Sequence, residues 1–212
     1  HCLLRRQRQM CIRDRAGTVG HVATTSFFPA KPLGGYGDGG AIFTRDESLS
    51  EDIRAITNHG CKEREEHYLL GTNGRCDSLQ AAIINAKFCN FRREEIRLRQ
   101  VVGARYNQGL KDHVSVPKTY SGNSHIYAQY TIRSKDRNRL AEALKRKGIP
   151  SAIYYRKPLH KQEVFRHFPT AKKSFPVAEK ASEQVISLPF HPYLSQVEQN
   201  QVISAVLEHE AV

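Results

Sequence analysis

"SFFPAKPLGGYGDGGA", Ser26 to Ala41, sets one lysine between two prolines, behind two phenylalanines and ahead of a run of glycines. A surface lysine needs no such surroundings. The stretch VATTSFF, Val22 to Phe28, is β-branched and aromatic and predicts a buried strand. Pro29, Pro32, Gly34, Gly35, Gly37, Gly39 and Gly40 then exclude regular structure. AIFT predicts a second short strand, so the two strands would pair like a hairpin around the lysine loop. A solvated loop lysine is the ordinary reading of Lys31. A lysine that condenses with a carbonyl needs a fixed approach and surroundings that favour the neutral amine. Aromatic neighbours and a tightly turned backbone supply both, but composition alone does not decide between the two readings.

Outward from the loop, residues 47–58 predict a helix with Gly60 as its stop. Residues 61–75 are polar and read as loop. Helical spacing resumes at Asp77 (Leu79, Ala82, Ile83, Ala86), and a second helix is predicted over roughly 94–110. After the interruption at 117–123 the texture changes. HIYAQYTIR alternates, with Ile126, Ala128, Tyr130 and Ile132 on one face, and predicts a half-buried strand. Residues 136–147 predict a helix ended by Gly148 and Pro150, SAIYY a strand, and 196–208 a closing helix.

The formal charge of +12 over 212 residues raises nucleic acid as a partner. Part of that charge has another source. Residues 5–15, RRQRQMCIRDR, match the translation of a common transposon-library adapter, so residues 1–15 are read as a sequencing-adapter artefact and Ala16 as a start within the gene. Setting them aside removes five Arg and one Asp and brings the charge from +12 to +8. The remaining Lys and Arg are spread along helices, often beside Glu, as on solvated faces. No apolar run approaches the ~20 residues of a membrane span. Cys2, Cys11, Cys61, Cys76 and Cys89 show no C-x-x-C pairing and no metal-ligand spacing, which predicts a reduced, cytoplasmic chain without a metal site.

The full string SFFPAKPLGGYGDGGAIFT resembles the lysine segment of the DegT/DnrJ/EryC1/StrS family of sugar aminotransferases, which use pyridoxal 5'-phosphate (PLP). The resemblance continues through NHG (58–60), GTNGRCDSLQAA (71–82), YYRKPLH (154–160) and FPVAEKASEQVISLPFHPYL (175–194), in that order. It implies an α/β PLP-dependent transferase fold of the aspartate aminotransferase type. The chain would be truncated to the end of the large domain (16–115, with interdomain helices) and a small α+β C-terminal domain (116–212).

The resemblance also implies roles. Lys31 would hold the cofactor and carry protons, with glutamate as amino donor and a keto-sugar nucleotide as acceptor. Ser26 would hydrogen-bond the cofactor phosphate. Asn73 would reach across a homodimer interface to the partner's cofactor phosphate, and Arg75 would face the anionic groups of the substrate. Tyr154 and Tyr155 would line the sugar pocket from the partner subunit. As strand residues they would face opposite ways, which makes core packing the competing role for one of them. His59 and His160 are weaker candidates, better explained as structural.

The wording of the lysine and GTNGRCDSLQAA segments is most similar to aminotransferases of UDP-2-acetamido-2-deoxy-3-oxo-glucuronate, in surface-polysaccharide (lipopolysaccharide O-antigen) biosynthesis. Two readings stay open beside it: an aminotransferase for a 4-keto nucleotide sugar, and a non-catalytic basic binding module. The N-terminal half of the family pattern is not in this sequence. The 212-residue polypeptide is therefore expected to be inactive alone, to bind the cofactor poorly and to expose apolar surface.

Overall fold

The protein is described here by a computed structural model covering residues 17–210. The expected adapter segment lies outside the described residues. The chain divides into two compact units between Arg93 and Glu94.

In the first unit, β1 (Val22–Ser26) and β2 (Gly40–Thr44) form an antiparallel pair with Val22 opposite Thr44 and Ser26 opposite Gly40. The predicted hairpin around the lysine loop is present. The predicted burial is not: Val22, Phe28, Ile42 and Phe43 are all exposed, because among the described residues the sheet has two strands only. Helix α1 (Glu47–Thr57) begins where the Asp46 side chain accepts the Leu49 N–H at 3.0 Å. It ends at Asn58, followed by His59 and Gly60, both with positive φ.

The predicted loop at 61–75 contains a small hairpin, β3 (Cys61–Glu63) and β4 (Glu66–His67). Its return limb is sewn to the end of α1. Thr72 N–H bonds Ile56 O (2.8 Å), Gly74 N–H bonds Thr57 O (2.9 Å) and His59 N–H bonds Thr72 O (3.0 Å), with a bridge between Asn58 and Asn73. The seam needs glycine. A Cβ on Gly60 (φ +81) would lie 1.7 Å from Leu69 O, and one on Gly71 would lie 2.0 Å from Gly60 N. Helix α2 (Ser78–Asn90) then leads into a π-helical segment, Phe91–Glu95.

The second unit holds the main core. Helix α3 (Ile96–Leu110), strand β5 (Tyr130–Arg133), helix α4 (Arg137–Arg146), helix α5 (Pro176–Gln184), strand β6 (Val185–Leu188) and helix α6 (Gln196–Glu210) follow in order. β5 and β6 pair antiparallel, Tyr130 opposite Leu188 and Ile132 opposite Ile186. Their buried side chains pack with Tyr106 and Leu110 of α3, Leu140 and Leu144 of α4, and Val202 and Val206 of α6. Gln199, fully buried on α6, donates to Val102 O at 2.7 Å and accepts from Arg105 at 3.2 Å. Helix α3 thus packs within the second unit, so the units divide before α3 rather than at residue 115.

Two strand expectations change. HIYAQYTIR forms a strand only from Tyr130. Tyr127 takes a left-handed backbone (φ 49), gives its N–H to His125 Nδ1 (2.8 Å) instead of a ladder, and is buried where Ala128 was expected. Gly103 makes room for it, since a Cβ there would lie 2.3 Å from the Tyr127 ring. SAIYY makes only a bridge, Ala152 to Ser187, before the chain turns at Tyr154 and Tyr155. β6, which the sequence reading did not identify, occupies the strand position beside β5.

Gly60→Ala combines the positive φ with a backbone clash. Thermal unfolding should show a loss of at least about 2 kcal/mol, with amide exchange rising first at Thr72 and Gly74.

Candidate active site

The strand pair closes the lysine loop at its base. Phe27 N–H bonds Gly39 O and Gly35 N–H bonds Phe27 O, both at 2.8 Å. A turn follows in which Lys31 N–H bonds Phe28 O at 2.8 Å, with Pro29 at the position where its fixed φ suits the turn. Gly34 and Gly35 are buried, and a Cβ on Gly34 would lie 2.4 Å from Pro29 O. The loop therefore packs backbone on backbone.

Helix α2 staples the loop from outside. Gln80 Oε1 accepts the Tyr36 N–H at 2.8 Å, and Lys87 Nζ donates to Gly34 O at 2.5 Å while lying 5.7 Å from the Tyr36 ring. Gln80 and Lys87 are two helical turns apart and share one face. Their seven-residue spacing after the glycine run was the one clue to this role, and sequence reasoning passed over both.

Lys31 itself is exposed, and among the described residues its ammonium has no hydrogen-bond or ion-pair partner. Ser26 ends β1, and its Oγ accepts the Phe28 N–H at 3.2 Å. That bond uses the oxygen as acceptor and leaves the hydroxyl hydrogen for an outside group. The resemblance asks this chain for an amine to condense with an aldehyde and a hydroxyl donor for a phosphate. The donor set on this loop fits PLP in both respects.

Asn73 and Arg75 sit on the seam. Arg75 Nε donates to Asn73 Oδ1 (3.3 Å) and Nη1 donates to Asn58 Oδ1 (3.4 Å). Among the described residues no carboxylate contacts Arg75. A cleft of about 590 Å³ opens here, lined by Arg54, Asn58, Lys62 and Arg75 among others.

Tyr154 and Tyr155 lie in the second unit, both exposed, with their rings edge to face at 5.5 Å. Neither is core, because the chain has left the strand before reaching them. They border an apolar cavity of about 660 Å³ with Phe165, Phe168 and Phe175. His160 lines the same cavity, but its ring is tied to Glu179 at 3.0 Å and packs at a tilt against Phe175, ring centroids 4.7 Å apart. His59 faces its neighbourhood through its backbone, accepting from His67 Nδ1 at 2.9 Å. The Phe175 N–H, then Lys161 and His160, hold the Glu179 carboxyl down at about 2.

Two measurements follow from these contacts. Gln80→Ala should speed amide exchange at Tyr36 and Gly35 while the second unit keeps its protection. Glu179 has a folded value of about 2, below the ordinary 4.5. Its contribution is therefore full above about pH 4.5 and lost as the pH falls towards 2. Glu179→Gln should flatten that acid limb in a pH series of melting midpoints.

The chain is similar to known aminotransferases over nearly all its length. The DegT/DnrJ/EryC1/StrS aminotransferase family matches residues 10–207. A UDP-2-acetamido-2-deoxy-3-oxo-D-glucuronate aminotransferase of Pseudomonas aeruginosa is 47% identical over 85% of this chain and 49% of its own length. A pleiotropic regulatory protein of Geobacillus stearothermophilus is 41% identical over 91% of this chain and 52% of its own. The crystal structure of a DegT DnrJ EryC1 StrS aminotransferase from Brucella abortus superposes with a TM-score of 0.89 at 40% identity, over 95% of this chain and 54% of that one. The chain spans about half the length of the curated relatives it matches. On this match over nearly all its length, the chain belongs to the DegT/DnrJ/EryC1/StrS aminotransferase family and carries part of its PLP-dependent transferase fold.

Proposed function

We propose that this chain supplies the lysine side of the active site of a sugar-nucleotide aminotransferase. The observation that carries the reading is Lys31: an exposed amine with no partner among the described residues, on a loop closed by its own backbone and stapled by α2. The first unit is the end of the cofactor domain and the second the small C-terminal domain.

PLP, when bound, supplies an electrophilic carbonyl and an electron sink. The residues of this chain do the rest. Lys31 Nζ would hold the cofactor and, as a free amine, would take up and return a proton as a general acid and base. Ser26 Oγ donates to the phosphate. Asn73 offers its amide to the phosphate in the partner's site, and Arg75 receives an anionic group of the substrate. Tyr154 and Tyr155 bound the sugar pocket.

The acceptor is UDP-2-acetamido-2-deoxy-3-oxo-glucuronate and the donor glutamate, in a cytoplasmic step of surface-polysaccharide biosynthesis carried out by a homodimer with shared sites. The name of the Pseudomonas relative supports this acceptor, and a uronate carboxylate suits an unneutralised Arg75. The 212-residue polypeptide alone is expected to transfer no amino group. Among its described residues the first unit buries only Ala55 and Ile84 of the hydrophobic side chains and leaves Leu70, Leu79 and Phe43 exposed, so it presents its loop without an enclosing core.

Lys31→Ala in the holoenzyme that carries this chain should lower amino transfer by at least about 10⁴-fold, the top of the 10²–10⁴ typical of a lost acid–base group, because the attachment is lost too. Borohydride reduction of the wild type followed by peptide mapping should place the cofactor on Lys31. Label at another lysine, or full turnover by Lys31→Ala, would refute the assignment.

A further inference from the structure

Arg75 is held on two sides by amide oxygens, Asn73 Oδ1 and Asn58 Oδ1. A carboxylate in either place would grip the guanidinium more strongly, but it would also cancel its charge. Among the described residues neither place holds a carboxylate, and Glu51, on the same cleft, pairs with Lys62 at 3.4 Å. Two of the five guanidinium N–H groups are used, and the rest of the fork is left for an outside anion.

The grip comes from adjoining strands of one seam. Asn58 is fixed as the C-cap of α1, its N–H bonded to Ala55 O at 2.9 Å, and its backbone bridges that of Asn73. Arg54, on the last turn of α1, lines the same cleft and likewise has no carboxylate partner among the described residues.

We infer that Asn58 is a positioning residue for substrate recognition: its neutral side-chain oxygen aims Arg75 and leaves that charge to the acidic group of the nucleotide sugar. The inference rests on the proposed function and assigns Asn58 no contact with the substrate.

The test uses the holoenzyme that carries this chain, with two readouts: kcat and KM for the keto-sugar nucleotide, and equilibrium binding of UDP-glucuronate, a uronate that does not react. Asn58→Asp keeps the shape and adds a charge beside Arg75. It should weaken UDP-glucuronate binding and raise KM about five- to tenfold, the effect of one partly screened charge at contact. kcat should stay within about twofold and the melting midpoint should hold. Asn58→Ala should cost less than Asn58→Asp, because it loosens Arg75 without neutralising it, and Asn58→Gln should recover part of the affinity. Unchanged binding in Asn58→Asp, or equal losses in Asp and Ala variants that track a lowered melting midpoint, would overturn the assignment. A wild type that turns over no keto-sugar, yet loses UDP-glucuronate affinity in Asn58→Asp, would sink the amino-transfer reading and leave Asn58 in its role.

Discussion

Everything proposed for Lys31 depends on a loop that closes on its own backbone. Between Ser26 and Gly40 the chain has no regular structure, and side-chain packing there is slight. Two ladder-like bonds at the base, one tight turn and the contact of Gly34 with Pro29 hold it instead. Each glycine at a contact permits an approach that a Cβ would block, so the stretch is stiff although it is rich in the most flexible residue. A catalytic amine benefits from that stiffness, because ordering entropy is met on folding and not at each encounter with substrate.

The seam between 56–59 and 72–74 repeats the device with different parts. Gly60 and Gly71 let two backbones meet, and the result carries Asn58, Asn73 and Arg75 in fixed relation. In both places glycine has no chemical role of its own. It sets distances for residues that do.

Much of this was legible in the sequence. The hairpin around Lys31, helix α1 and the end of α4 followed from β-branched runs, helical spacing and glycine stops; the Asp46 and Asp136 caps came only from the structure. The missed features were those that depend on partners far along the chain. Tyr127 leaves its expected register because Gly103 on α3 gives its ring a place and His125 takes its N–H. Tyr154 and Tyr155 lie beyond the one bridge this stretch makes to β6, Ala152 to Ser187, a long-range pairing that local alternation does not reveal. The exposure of β1 was hidden for the opposite reason, since an apolar run announces burial whether or not a covering layer is at hand. Candidate site residues came from motif resemblance, and the supporting Gln80, Lys87 and Asn58 came only from contacts.

Holding Arg75 between two amides has a consequence for acidity. Neither an amide nor a guanidinium gains or loses a proton over about pH 5 to 9. The receptor side of this contact is therefore constant throughout that range. At these contacts alone, the ionisation that matters is the anion's own: complete for a carboxylate or a phosphodiester, and rising through the second ionisation for a terminal phosphate.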